Sequence, residues 1–96
     1  VFRFEPGKVV FAKDEIPRLL AHCREQLKTP QVKLLVEGVG DEEGPKGLPL
    51  GRSRAVVARQ LLIEAGFDGE RLVLAPPRVS AEDAGLWLRP LEVKNP

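Results

Sequence analysis

Asp41 and Arg54 are the two side chains whose type and position point to chemistry. Asp41 opens the acidic run "GDEEG" (Gly40–Gly44), directly after an apolar segment that ends in "VEG". Arg54 lies in "LGRSRAVVARQLLIEAG", a strongly helical stretch. At about 100° per residue with Leu50 as zero, Val57 falls near −20°, Leu61 near +20°, Ala65 near +60° and Ala58 near +80°. Those positions define an apolar stripe, and Arg54 sits within it at about +40°. Arg52 and Arg59 project to the opposite side as solvated charges.

An arginine remains ionised under essentially all protein conditions, so burying it without a partner costs several kcal/mol. Its long side chain can instead reach back toward the preceding loop, where Asp41, Glu42 and Glu43 offer carboxylates. Asp41 follows the apolar segment most directly, at the strand end where α/β layers commonly bind ligands. Two readings stay open for the pair. One is a salt bridge that tethers the helix. The other is a small pocket for a zwitterion, with Arg54 forking a carboxylate, Asp41 accepting an ammonium and the helix N-terminus favouring the same anion.

The other reactive residue types are sparse. Cys23, at a helical apolar spacing, is expected to be a buried structural thiol, and His22 beside it a surface histidine. One Cys and one His do not assemble a Cys/His metal site or a thiol triad. "DEEG" lacks the alternating oxygen ligands of a calcium loop, and no phosphate-loop or nucleophile-elbow pattern occurs. Trp87 reads as a packing residue at a sheet edge rather than a sugar platform. No enzyme activity, metal or cofactor is expected.

The 96 residues are enough for one core and one domain, 1–96. A net charge of +1 with 5% aromatics argues against nucleic acid, and no apolar run approaches the ~20 residues of a membrane span. "VFRF" alternates like a strand and "EPGK" forms a type II turn. A helix follows from an Asp14 N-cap, with Pro17 in its first turn and Ile16, Leu19, Leu20, Cys23 and Leu27 on one face, ending near Thr29-Pro30. "VKLLVEG" is a central strand. The Arg54 helix stops at Gly66. "RLVLA" is a third strand closed by Pro76-Pro77. "SAEDAG" is a helical turn capped by Ser80, and "LWLRPLEV" is a final strand confined partly to an edge by Pro90. The order β-α-β-α-β-β, with both helices on one face of a mixed sheet, is an α+β two-layer sandwich.

The segment "VEGVGDEEG…LGRSRAVVARQLLIEAGFDGERLVL" resembles the OmpA-like, peptidoglycan-binding domain family. That family shows a strand, Gly-(His/Tyr)-Thr-Asp, two residues and Gly, then Asn-x-x-Leu-Ser-x-x-Arg-Ala opening a helix. Gly38, Asp41, Gly44, Leu50, Arg54 and Ala55 match, whereas Val39, Gly40 and Gly51 depart from the pattern and the connection lacks the Asn. The resemblance implies that Asp41 and Arg54 bind the diaminopimelate of the wall peptide; Gly40, Glu42, Gly44 and Leu50 complete the expected ligand-binding set. It also implies a periplasmic, non-catalytic module of a membrane- or lipid-anchored envelope protein, whose partner is peptidoglycan. The chain starts at Val1 and has no methionine, so an excised piece of such a parent is expected. The departures keep a second expectation open: an OmpA-like scaffold without wall binding that serves envelope or secretion assembly.

Overall fold

The computed structural model describes residues 1–41 and 45–92. Helix α1 spans Glu15–Gln26 and strand β1 spans Val32–Gly40. Helix α2 spans Gly47–Glu64, followed by a 3-10 turn at Gly69–Arg71, β2 (Leu72–Leu74), β3 (Arg78–Val79) and β4 (Gly85–Glu92). The α+β class is as expected, with both helices contributing to one core on the same side of a mixed four-stranded sheet.

β1 is the centre of that sheet. β4 runs antiparallel along it from Val32↔Glu92 to Val39↔Gly85. A strand has only two edges, so the parallel partners β2 (Leu34↔Leu72) and β3 (Val39↔Arg78) lie in succession on the other. The expected third strand, "RLVLA" closed by Pro76-Pro77, is β2; beyond the prolines, which supply no N–H to the ladder, β3 is a further short strand that was not expected. β4 tolerates Pro90 for a geometric reason. Leu86 exchanges both backbone bonds with Phe2 on the outer edge, and Pro90 shares its parity, so the missing N–H faces away from β1.

The opening strand expected at "VFRF" reduces to isolated bridges, Phe2↔Leu86 and Phe4↔Phe11. Gly85, at φ 133°, lies beside the first of these bridges, and a Cβ on it would meet Phe2 O at 2.4 Å. The Pro6-Gly7 turn is as expected: Lys8 N–H donates to Glu5 O at 3.0 Å and Gly7 has φ 67°. "SAEDAG" does not form a helical turn; Ala81, Glu82 and Asp83 form a bend, although Ser80 Oγ accepts from Asp83 N–H at 3.2 Å.

α1 begins where expected, but Asp14 gives no side-chain cap. It sits at φ 67°, in the left-handed region. Glu15 and Arg18 fasten that end instead: Arg3 N–H donates to Glu15, and Arg18 donates to Glu15 and to Val1 O at 2.7 Å. Leu19 and Cys23 are fully buried against Leu34, Val36, Ala58 and Leu62, while Ile16 stays exposed.

α2 starts at Gly47, three residues before the expected Leu50, and ends before Gly66, which has φ 103°. Its buried face is Gly47, Gly51, Arg54, Ala55, Ala58 and Leu62. On the same wheel that face centres near +90°, about 60° round from the expected stripe. Val57 and Ala65 are exposed and Leu61 half-buried. The cause is a seam of small residues. A Cβ on Gly38 would lie 1.7 Å from Gly51 O, and one on Gly40 would lie 2.2 Å from Gly47 O. Only glycines let the helix backbone rest directly on β1, and this close approach turns the small side of α2 inward.

Candidate functional site

The close approach of α2 carries Arg54 to the C-terminal end of β1. Arg54 is 1% exposed. Its guanidinium donates through Nη1 to Val39 O (2.9 Å), through Nε to Lys8 O (3.0 Å) and through Nη2 to Glu5 O (3.3 Å). Its Cζ lies 5.0 Å from the Phe4 ring centroid, adding a cation–aromatic contact. The side chain therefore joins three parts of the chain: the opening turn, the end of β1, and α2.

Asp41 completes the junction. Oδ2 accepts the Gly7 N–H at 2.9 Å, and Oδ1 lies 3.4 Å from Arg54 Nη2. The Oδ1 contact is ionic rather than a directed hydrogen bond, and this buried oxygen has no hydrogen-bond partner among the described residues. Partial burial acts against the Asp41 carboxylate. The Gly7 N–H and the Arg54 charge outweigh it and hold its pKa below the usual aspartate value. The charge pair inferred from the helical wheel is thus formed, with Arg54 at the border of the buried face rather than in its middle.

Gly40 is buried against Gly47, so it serves the seam between strand and helix. Leu50 is half-buried and lines an open groove of about 460 Å³ with Gly7, Val9, Pro45, Lys46, Pro49 and Ser53. Neither Asp41 nor Arg54 borders that groove; the Glu5–Lys8 turn, whose Gly7 does, bonds to both of them. Glu42 and Gly44 lie outside the described residues.

Several other expectations change. Arg59 is not merely solvated: it donates to Leu72 O at 2.9 Å and Gly69 O at 2.8 Å, tying α2 to the start of β2. His22 is half-buried, edge-on to Phe2 at 5.5 Å, and this burial lowers its pKa. Cys23 is the buried thiol expected, its pKa pushed up by burial to about 11, so it stays protonated and inert at neutral pH. Trp87 packs on the helix-free face of the sheet, its Nε1–H on Asp83 O at 2.8 Å and Arg78 stacked at 5.9 Å. There Glu37 accepts from Arg78 (3.1 Å) and lies 3.5 Å from Arg89, a network not anticipated from sequence. No group of three or more His, Cys, Asp or Glu suited to a metal occurs among the described residues.

The partners that sequence reading missed are mostly backbone: the carbonyls of Glu5, Lys8 and Val39, and the N–H of Gly7. Residue type carries no signal for them. The turn motif "EPGK" was visible, but its docking onto Arg54 was not.

This arrangement belongs to a known fold. The chain superposes on the C-terminal domain of Helicobacter pylori MotB with a TM-score of 0.74 and 14% identity, over 94% of this chain and 81% of that one. It superposes on the peptidoglycan-associated lipoprotein of Burkholderia pseudomallei with a TM-score of 0.65 and 24% identity, over 79% and 68%. The periplasmic domain of H. pylori MotB gives 0.62 and 19%, over 83% of this chain and 59% of that one. At these identities the likeness is one of fold, and it is the fold expected from the OmpA-like resemblance. No family model and no curated protein matches the sequence.

Proposed function

We propose that this chain is a non-catalytic peptidoglycan-binding module. In this reading it holds a larger envelope protein to the wall through the diaminopimelate of the stem peptide. The observation that carries the reading is the Asp41–Arg54 pair, 3.4 Å apart at the C-terminal end of β1, in a fold shared with a peptidoglycan-associated lipoprotein. A carboxylate beside a guanidinium is complementary to the ammonium and carboxylate of one zwitterionic side chain. The module works in the periplasm as part of a membrane- or lipid-anchored parent. It needs no cofactor and contacts neither nucleic acid nor membrane; no helix among the described residues is long and apolar enough to cross one.

A second reading has its own support. Arg54 is 1% exposed and all three of its nitrogens donate to backbone carbonyls, which suits a scaffold that has exchanged wall binding for assembly with envelope or secretion proteins. Co-sedimentation with purified sacculi separates the two. The wall reading expects the wild type to pellet and a folded Asp41→Ala variant to stay in solution. Equal pelleting of both, or none of the wild type, removes it in favour of the scaffold.

A further inference from the structure

The Glu5–Lys8 turn presents Asp41 and Arg54 with the groups a zwitterion would present. Gly7 offers an N–H to the carboxylate at 2.9 Å, where an ammonium would donate. Glu5 and Lys8 offer carbonyl oxygens to Nη2 and Nε, at 3.3 and 3.0 Å, where a carboxylate would accept two bonds. One donor and two acceptors, held on four consecutive residues, match the polarity of the pair point for point. Only the Val39 O bond to Nη1 comes from elsewhere, and it anchors the guanidinium to β1.

We propose that this turn is an internal stand-in for the ligand, closing the Asp41–Arg54 site until a zwitterion displaces it. The inference rests on the wall-binding reading and adds regulation of that same site. Three observations support a turn that can leave. Glu5, Pro6, Gly7 and Lys8 are all exposed, so lifting them uncovers little apolar surface. The apolar anchors sit outside the turn: Phe4 and Phe11 stack at 4.2 Å, and Glu5 N–H to Val10 O closes the loop. The groove that reaches Gly7 from the α2 side gives a ligand a place to dock before exchange. The apparent affinity of such a site is the intrinsic affinity reduced by the fraction of open molecules.

Titration with meso-diaminopimelate, followed by amide NMR, tests the closure on the wild type and on Gly7→Val. Gly7 has φ 67°, which a β-branched residue does not adopt readily, so the substitution disfavours the docked turn. The variant is expected to bind about fivefold or more tightly than the wild type, as removing a closed state requires. In the wild type, the Gly7 amide is expected to lose protection from hydrogen exchange as ligand is added. That second measurement decides the matter where Gly7→Val does not fold. Wild-type binding that leaves the Gly7 amide protected, or that matches the variant's, overturns the closure and spares the wall reading. Absence of binding by both proteins overturns the wall reading and the closure together.

Discussion

Arg54 is the residue on which three parts of the chain depend. A buried cation survives only where its charge and donors are met, and here they are met by Asp41, three carbonyls and the Phe4 ring. Replacing it by an apolar side chain of similar length leaves Asp41 and Val39 O without their partner inside the protein. Arg54→Met is expected to lower unfolding free energy by about 3 kcal/mol in urea denaturation. Arg52→Met, at an exposed position on the opposite side of the helix, should stay within about 0.5 kcal/mol. Equal effects would mean that the Arg54 junction adds nothing to stability. Asp41 and Arg54 were legible as a pair because charge on an apolar face demands a partner. Their backbone partners were not, since any residue supplies a carbonyl.

At the scale of elements, the decisive contact is helix α2 lying on strand β1. The seam uses Gly38 and Gly40 on the strand with Gly47 and Gly51 on the helix. It explains why Gly51 stands where the OmpA-like pattern has Ser: a Cβ there would meet Gly38 O at 2.8 Å and Arg78 O at 3.1 Å. Gly38→Ala places a methyl group 1.7 Å from Gly51 O and 2.8 Å from Ala55 N, both α2 backbone that has no flexible side chain to move aside. It is expected to cost about 3 kcal/mol or more and to weaken the Arg54 bond to Val39 O as the helix lifts. Urea denaturation reads the first effect, and hydrogen exchange along β1 reads the second. A wild-type denaturation curve would show that the seam can open without cost. The helix and its Gly66 stop were readable from periodicity, but its inward face was not. Periodicity weighs bulky apolar residues, whereas this interface is selected by the absence of side chains.

At the scale of the molecule, the first twelve residues are held to the rest largely through polar ties and two rings. Asp41 accepts from Gly7, Glu15 accepts from Arg3, Arg18 donates to Val1 O, and Phe2 and Phe4 enter the core. Both carboxylates have folded pKa values below their ordinary 3.8 and 4.5. The Arg18 hydrogen bond is the main cause for Glu15; for Asp41, the Gly7 N–H and Arg54 overcome burial. A depressed folded value means the stabilisation is fully present above the ordinary value and disappears as pH falls through the lower, folded one. Stability is therefore expected to be flat from neutral pH down to about 4.5 in these two groups' contribution, then to fall in more acid solution. The Gly7 and Arg3 amides should lose exchange protection in that acid range before the β1 amides do. Simultaneous loss everywhere would show that the opening segment is no separate unit.

The amino-acid sequence by itself determined the α+β class, the central strand, both helices, the Pro-Gly turn and the Asp41–Arg54 pairing. These follow from periodicity, from turn chemistry, and from the cost of an unpaired charge, all local or nearly so. Tertiary structure alone decided the rest. It reduced the opening strand to two bridges, Phe2↔Leu86 and Phe4↔Phe11. It added β3 beyond the two prolines, on the same edge of β1 as β2. It turned α2 by the glycine seam, and it laid the Glu5–Lys8 turn across the arginine. Each depends on how closely backbones distant in sequence approach one another, and side-chain type specifies that distance only once the elements have met.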